Sequence, residues 1–131
     1  MSDIANFSVC ADEVYVKLNP DVTQVSDGIE YKLSKTALKN SSTNCSLRLV
    51  FQITNTSEKP TPFDIRIALV GVFSFTKELP EDVMEGFLSL QAVQMLFPYL
   101  RSVISNVMTS ALIPPIILPV MNVKNINFTD N

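Results

Sequence analysis

Alternation of hydrophobic and polar residues is the clearest pattern in the first half of the chain. It occurs in four segments, residues 14–18, 29–34, 47–54 and 63–69. Because successive side chains of a β-strand point to opposite faces, each segment is predicted to form a strand with one buried face. The last two are separated by the polar, proline-containing sequence NTSEKPTP, which favours a turn. We therefore expect them to pair as an antiparallel hairpin.

The two faces of this predicted hairpin differ in composition. Its odd-numbered positions are apolar throughout, whereas its even-numbered positions include Arg48, Gln52 and Arg66. We expect the odd-numbered face to be buried and the even-numbered face to contact water. Gly71 interrupts the apolar run after the second strand, which predicts either a bulge or a close approach of another part of the chain.

The hydrophobic period changes after Pro80. Proline is accepted in the first turn of a helix, and the acidic residues Glu81, Asp82 and Glu85 suit the positive end of the helix dipole. A helix is therefore predicted to begin here. Pro98 is expected to kink or break it, because proline lacks the backbone N–H that a helix interior needs.

From residue 100 to residue 111 the apolar residues recur at the i, i+3, i+4 spacing of one helix face. The helix must end before Pro114. Strands followed by a helix favour an α+β fold: a four-stranded antiparallel sheet with one long, kinked helix packed on it. At 131 residues without repeats, the chain is expected to be a single domain, residues 1–131.

Composition argues against several classes of function. A net charge of −3 without a long basic run argues against a nucleic-acid partner. The chain has no histidine and only two cysteines, so it offers neither a Cys/His zinc site nor a Cys-His or Ser-His nucleophile pair. The one dense carboxylate group, Glu81, Asp82 and Glu85, is explained by the start of a helix. We expect no enzymatic activity, no metal and no cofactor.

The N-terminal sequence MSDIANFSVCADE is acidic and has no apolar core, which predicts a cytoplasmic protein rather than a secreted one. The stretch ALIPPIILPV, residues 111–120, is too short and too rich in proline to form a membrane-spanning helix. Contiguous apolar residues of this kind are typical of an interface or a binding groove.

Residues 96–123 read LFPYLRSVISNVMTSALIPPIILPVMNV, in which LFPYLR opens the predicted helix, IP follows at residues 113–114 and LPVMN at residues 118–122. This arrangement resembles the SecB family of protein-export chaperones. Family members have Leu-Phe-Pro-Tyr-x-Arg at the start of a long helix, then Phe-Pro, then Leu-x-Pro-Val-Asn-Phe. The strand FDIRIALVGVFSF is similar to the family's third strand, which ends in Gly-Ile-Phe. The resemblance extends from about residue 29 to residue 123.

The resemblance implies a non-enzymatic homotetramer, built as a dimer of dimers, that holds unfolded precursor proteins in hydrophobic grooves and delivers them to the motor SecA. We therefore expect a holdase whose partners are non-native polypeptides and copies of itself. The candidate groove residues are apolar positions of the sheet and of the segment after the helix: Leu33, Phe63, Ile65, Ile67, Ile113, Ile116, Leu118 and Val123. The candidate oligomer interface is the helix stripe Leu100, Val103, Val107 and Met108.

At three places the sequence departs from the family pattern, and these departures argue against part of the function that the resemblance implies. After Val123 the sequence continues only as KNINFTDN, so the family's second helix is not expected. The acidic residue of the family's third strand that helps to recognise SecA falls at Arg66, and the apolar residue two places before it is Asp64. The sequence VYVKLNPDVTQ also lacks the family's acidic Phe-Glu-x-Pro motif. These departures argue against docking to SecA.

Two other functions stay open at this point, as does the choice between a tetramer and a dimer. The same fold serves a single dedicated client in toxin–antitoxin systems that carry SecB-like chaperones. Alternatively, the chain is a structural subunit whose apolar surface is permanently covered within its own oligomer. For every candidate groove residue, packing in the core of the subunit is the competing explanation.

Overall fold

A computed structural model describes residues 4–22 and 31–112 of the chain. These residues form four strands: β1 (Ile4–Leu18), β2 (Lys32–Lys39), β3 (Asn44–Ile53) and β4 (Phe63–Phe75). The strands lie in one sheet in the order β1-β4-β3-β2, with every neighbouring pair antiparallel. The four-stranded antiparallel sheet and the β3–β4 hairpin are thus confirmed, and β1 and β2 are the edge strands of the described sheet.

A long helix follows the sheet in three consecutive stretches. These are α1 (Glu81–Gly86), a π-helical stretch (Phe87–Gln91) and α2 (Ala92–Ser110). Pro80 is the N-cap residue of α1, which confirms the predicted helix start. The helix ends at Ser110, before Pro114 as expected.

The irregular part of the helix is not where the sequence predicts it. Pro98 lies inside α2 and does not end it, whereas the departure from α-helical geometry is at Phe87–Gln91. Phe97 and Leu100, on either side of this region of α2, are buried against the sheet, and Pro98 itself is exposed. Because tertiary packing contributes most of the stability of a helix in a protein, burial of these neighbours keeps the helix continuous across the proline.

The bounds of the two edge strands also differ from the prediction. β1 extends from Leu18 back to Ile4, well before the alternating segment at residues 14–18, and β2 runs from Lys32 to Lys39 rather than over residues 29–34. Residues 29 and 30 lie outside the described part of the chain. An edge strand is partly exposed on both faces, so its sequence carries a weaker alternation than that of a central strand.

The hydrophobic core lies between the helix and the odd-numbered face of the sheet. The largest fully buried side chains include Leu47, Leu49, Phe51 and Ile53 of β3, Ile65, Ile67, Leu69 and Phe73 of β4, and Leu96, Leu100 and Ile104 of α2. On the opposite face Arg48, Gln52 and Arg66 are partly exposed. Val50 and Ala68 on this same face are buried, so the predicted buried face is confirmed and the opposite face is only partly exposed to water.

Gly71 lies directly beneath the side chain of Leu96 in the helix. A Cβ atom at this position would lie 2.7 Å from Cδ2 of Leu96 in α2, which is shorter than a normal contact. Gly71 pairs in continuous register with Val9 of β1 and Leu47 of β3, whereas the register shifts of β1 lie elsewhere. Of the two alternatives predicted for Gly71, close approach is confirmed and a bulge is not observed there.

Candidate functional site

The helix leaves two adjoining cavities along the β2 edge of the sheet, which we call together the β2 cleft. The first has a volume of about 360 Å³ and is lined by Lys35, Ala37, Lys39, Glu85, Leu88 and Ser89. The second has a volume of about 420 Å³ and is lined by Lys39, Ser41, Ser42, Leu79, Glu81 and Met84. Each volume falls at the lower end of the roughly 300–1,000 Å³ that is usual for ligand pockets.

Strand register explains why alternate residues of β2 face this cleft. Ala37 is paired with Leu47, and Lys39 with Cys45, and both partners are fully buried beneath the helix. Directly paired residues of antiparallel strands point to the same side of a sheet, so Ala37 and Lys39 also point to the helix side. The opposite wall is held in place by a backbone hydrogen bond, in which the N–H of Leu79 donates to the carbonyl of Ser42 at 2.9 Å.

Lys39 connects the two walls of the β2 cleft. Its Nζ donates hydrogen bonds to Oε1 of Glu85 at 2.6 Å and to Oε1 of Glu81 at 3.0 Å. Because the partners carry opposite charges, both contacts are also ion pairs. These two hydrogen bonds raise the pKa of Lys39 above its ordinary value of 10.5, and the bond to Glu85 has the larger effect. Lys39 is therefore fully charged at neutral pH and joins β2 to α1.

The interior of the cleft is apolar and its rim is charged. Met84 and Leu88, which line the second and the first cavity, are only 2% and 3% exposed. Lys39, Glu81 and Glu85 lie at the solvent-exposed rim. Apolar walls with a few polar groups at fixed positions are typical of a binding site. Because Met84 and Leu88 are almost fully covered, the accessible apolar lining of the cleft consists of Ala37, which is exposed, and Leu79, which is partly buried.

A different groove lies on the other side of the helix, beside β1, and we call it the β1 groove. It has a volume of about 430 Å³ and is lined by Val14, Val103, Asn106, Val107, Ser110 and Ala111, none of them charged. Val14 is 51% exposed, although its register partner Ile67 is fully buried. Farther along the same flank, Tyr99 packs edge-on against Phe7 at a centroid distance of 6.1 Å. This flank therefore presents apolar surface to its surroundings.

The outer face of the sheet, away from the helix, carries a network of ion pairs. Arg66 donates to Oε1 of Glu13 at 2.5 Å and to the side-chain oxygen of Gln52 at 3.0 Å. Arg48 pairs with Oδ2 of Asp12 at 3.2 Å. The register shift between Ala11 and Glu13 inserts Asp12 as an extra residue of β1 and brings both acids to the two arginines. Arg66, which stands where the family pattern has an acid, is thus neutralised within the chain.

Asp64, the second departure on this strand, has a structural role. Its Oδ1 accepts hydrogen bonds from the backbone N–H of Asn55 at 2.7 Å and from Nδ2 of Asn19 at 3.2 Å. Asn19 follows β1, and Asn55 begins the loop between β3 and β4. Asp64 therefore ties the β3–β4 loop to the end of β1.

The structure places the candidate groove residues of the sheet inside the core. Leu33, Phe63, Ile65 and Ile67 are 2%, 3%, 1% and 0% exposed. For these four side chains the competing explanation, packing within the subunit, describes what the structure shows. Direct contact with a client stays a prediction and requires that the covering helix move. The other four candidates, Ile113, Ile116, Leu118 and Val123, lie outside the described residues.

The candidate interface residues of the helix divide into two pairs. Leu100 and Met108 are fully buried in the core of the subunit, whereas Val103 and Val107 are partly buried and line the β1 groove. Contact with a second subunit stays a prediction for all four. Only Val103 and Val107 offer surface for it in this conformation.

The β2 cleft was not predicted from the sequence. Glu81 and Glu85 were explained by the start of a helix, and the lysines of KTALK have the appearance of an ordinary exposed edge. The available signal was the alternation of Lys35, Ala37 and Lys39, which places all three on one face of a strand. This face of β2 can be recognised as the wall of a cleft only when the position of the helix start beside it is known.

Metal binding, membrane insertion and cysteine pairing can each be checked over the described residues. Within residues 4–22 and 31–112, no three His, Cys, Asp or Glu side chains are grouped so as to hold a metal ion. Over the same ranges, no helix combines the length and the apolar character needed to cross a membrane. Cys10 and Cys45 are free thiols, the first exposed and the second buried.

Comparison with known proteins finds a family model and several sequence relatives that resemble this chain. The family model for preprotein translocase subunit SecB matches residues 10–130. The protein-export protein SecB of Ruegeria sp. is 33% identical over 66 residues, and that of Psychrobacter arcticus is 28% identical over 94 residues. An uncharacterized protein of Methanocaldococcus jannaschii is 36% identical over 63 residues. These matches cover 50%, 72% and 48% of this chain, and 37%, 63% and 40% of the respective relatives. The chain thus spans less than two thirds of each of these relatives.

The fold has a counterpart among solved structures. A SecB-like chaperone of Mycobacterium tuberculosis, solved in complex with a peptide from the antitoxin HigA1, superposes with a TM-score of 0.65. The superposition covers 90% of this chain and 88% of the other at 11% sequence identity, and therefore shows a shared fold. Because the family model matches nearly the whole sequence, this chain belongs to the SecB family.

Proposed function

We propose that this protein is a chaperone of the holdase type, which binds extended apolar segments of non-native polypeptides in the β2 cleft. The observation that carries this proposal is the cleft itself: two adjoining cavities between β2 and the helix, in which the exposed Ala37 and the partly buried Leu79 lie beneath a charged rim. Membership of the SecB family supports a chaperone role, and the family's description as a translocase subunit supports a part in protein export from the cytoplasm.

Binding in such a cleft lowers aggregation by mass action. A ligand that prefers the unfolded state of a client reduces the concentration of the free unfolded form. Each apolar side chain that enters the cleft contributes about 1.5–3 kcal/mol before the cost of ordering the segment. A few such contacts give a weak and unselective interaction, which is what a general holdase requires.

Self-association would strengthen this weak binding. We assign the β1 groove, with Val14, Val103 and Val107, to contact with another copy of the chain, because its lining is uncharged and partly exposed. Leu100 and Met108 support this surface from the core. An oligomer carries several β2 clefts, and a client bound in one cleft meets the next at high effective concentration.

Delivery of clients to SecA is not part of the proposed function. Arg66 replaces an acid of the family pattern and is already paired with Glu13.

The candidate groove residues divide into two sets in this proposal. Those kept as candidate client contacts, because their sequence is apolar and rich in proline, are Ile113, Ile116, Leu118 and Val123. Leu33, Phe63, Ile65 and Ile67 are assigned to the core beneath the helix, where they hold its position.

The proposed holdase activity is tested by light scattering of a reduced, chemically unfolded model client with the protein at stoichiometric amounts. Ala37 is exposed and lines the cleft, so Ala37→Glu places a charge in the apolar interior. Leu38→Glu is the matched control, since Leu38 is 56% exposed on the other face of the same strand. We expect wild type and Leu38→Glu to suppress scattering and Ala37→Glu to lose most of this effect.

Failure of the wild type to suppress scattering would exclude a general holdase. Suppression that Ala37→Glu retains would move client binding away from the β2 cleft. A chaperone dedicated to one client is the second candidate, because the solved structural neighbour binds an antitoxin peptide. That candidate predicts no effect on a model client but tight binding of one partner from the protein's own source.

A further inference from the structure

We propose that Lys39 determines how long an apolar segment the β2 cleft can hold. In the free protein its ammonium group divides the cleft into two compartments, and its release from Glu81 and Glu85 joins them into one groove. This inference rests on the proposed function, in that the occupant is an extended polypeptide segment.

Lys39 has the position that such a divider needs. It lines both cavities, whereas its two partners are separated between them: Glu85 borders the first cavity and Glu81 the second. Its Nζ lies 2.6 Å from Glu85 and 3.0 Å from Glu81, so the side chain spans from the strand to the helix at the junction of the cavities. An extended chain that runs through both cavities must pass this ammonium group.

The lengths of the two walls indicate how long a segment the cleft can hold with and without the division. Residues 35–39 of β2 span about 13 Å at strand geometry. These strand residues border the first cavity, and the second cavity lies beside Ser41 and Ser42, beyond the end of β2. Residues 81–89 of the helix border both cavities and span about 12 Å. An extended segment of about four or five residues fits this length, and each compartment alone accepts about half of it. With Lys39 in place, the cleft therefore holds two short apolar runs rather than one long one.

The ion pairs of Lys39 are suited to being released. The side chains of Glu81 and Glu85 are 80% and 62% exposed, and that of Lys39 is 33% exposed. All three charged groups reach water without unfolding of the strand or the helix. Interactions between exposed charges are weak and are screened as the Debye length falls from about 10 Å at 0.1 M salt to about 3 Å at 1 M. Ionic strength thus becomes a control on the length of segment that is bound.

Two uncharged fluorescent peptides test this inference by anisotropy. One has a single run of two apolar residues, the other a continuous run of five, and both have the same Gly/Asn flanks. Lys39→Met removes the charge and retains the methylene chain, whereas Lys39→Arg retains the charge. We expect Lys39→Met to bind the long peptide about tenfold more tightly, since further side chains enter the joined groove. The short peptide should change by less than about twofold, and Lys39→Arg should resemble wild type.

Lys17→Met is the matched control, because Lys17 has the same charge but lies on the opposite edge strand. In wild type, the ratio of long-peptide to short-peptide affinity should rise with salt, and in Lys39→Met it should stay constant. The wild-type part of this salt comparison does not depend on the folding of any variant. Equal ratios in wild type and Lys39→Met at all salt concentrations would overturn the role of Lys39 and leave the holdase proposal standing. Absence of binding by either peptide, together with unsuppressed client aggregation, would overturn both.

Discussion

The two flanks of the helix offer different surfaces, although both lie over the same sheet. On the β1 flank the groove is lined by apolar and uncharged residues, with Val14 half exposed. On the β2 flank the apolar interior lies beneath a rim of one lysine and two glutamates. Charged residues are depleted in the centre of stable protein interfaces, whereas lysines on an edge strand discourage unwanted pairing with another chain. The comparison supports our proposal of a permanent contact at the β1 flank and a reversible one at the β2 flank.

The largest expected difference between the flanks is in the reactivity of two thiols. Cys10 is exposed on β1, whereas Cys45, the register partner of Lys39, is fully buried, and burial raises the pKa of its thiol. We expect Ellman's reagent to modify Cys45 at least about 100-fold more slowly than Cys10, because reaction requires local opening of the core. The rates are measured in Cys45→Ser and Cys10→Ser, each with one thiol. Equal rates would show that the core opens together with the β2 edge.

Gly71 lies between the two flanks, and a substitution there should lower the stability of the packing on which both depend. Gly71→Ala places a Cβ 2.7 Å from Leu96, which is fully buried and has little room to move. Overpacking of this kind lowers the free energy of unfolding by about 1–3 kcal/mol. Chemical denaturation measures the loss, and Gly71→Ala should cost less when it is made in a Leu96→Ala background, where the clash is absent.

Gly86→Ala is the matched control, because no atom lies within 4 Å of a Cβ at that helical position. It should raise the free energy of unfolding by about 0.5–1 kcal/mol. The same substitution is thus expected to act with opposite sign at the two glycines. A loss at Gly86 comparable to that at Gly71 would contradict the assigned close approach.

A charge in the β1 groove tests whether that flank is the permanent contact. Val14→Asp should weaken self-association by about tenfold or more, since an unpaired carboxylate would be buried in the contact. Val83→Asp is the control, as Val83 is also about half exposed but lies on α1. Analytical ultracentrifugation gives the masses. If Val14→Asp assembles as wild type does, the contact lies on another surface.

The smallest expected effect is the pH dependence of the Lys39 ion pairs. The pKa of Lys39 is raised in the folded state, so its contribution to stability is fully present below pH 10.5 and is lost as the pH rises through the higher, folded-state pKa. The melting temperatures of wild type and Lys39→Met should therefore differ slightly at pH 8 and converge at strongly alkaline pH. A difference that stays constant through this range would mean that the methionine changes packing rather than charge.

Local pattern was sufficient to predict the central part of the fold. The alternation in β3 and β4, the proline-containing turn between them and the helix start after Pro80 all depend on nearby residues. The pairing of β1 with β4 does not, because it joins positions as distant as Ile4 and Phe75. The π-helical stretch was also missed, since no proline or other local signal marks Phe87–Gln91 as more irregular than Pro98.

The candidate site was harder to predict for the same reason. Regular alternation makes Ile65 and Ile67 candidate groove residues in the sequence, but in the structure they are among the most deeply buried side chains. The residues of the β2 cleft are charged or small, and 42 positions separate Lys39 from Glu81. Their significance depends on where the helix lies on the sheet, and this placement comes from Gly71 and Leu96 rather than from any pattern in β2.

The position of β1 in the sheet has a consequence for synthesis of the chain. β1 is made before the other strands, but it hydrogen-bonds to β4, the last of the four strands that the structure describes. At about 5–20 residues per second, the ribosome completes β4 roughly 3–11 s after β1. During this interval Phe7, Val9 and Val16 have no sheet to pack against. For these seconds the nascent subunit presents an unpaired strand of its own, and neighbouring ribosomes on one message bring several such strands together.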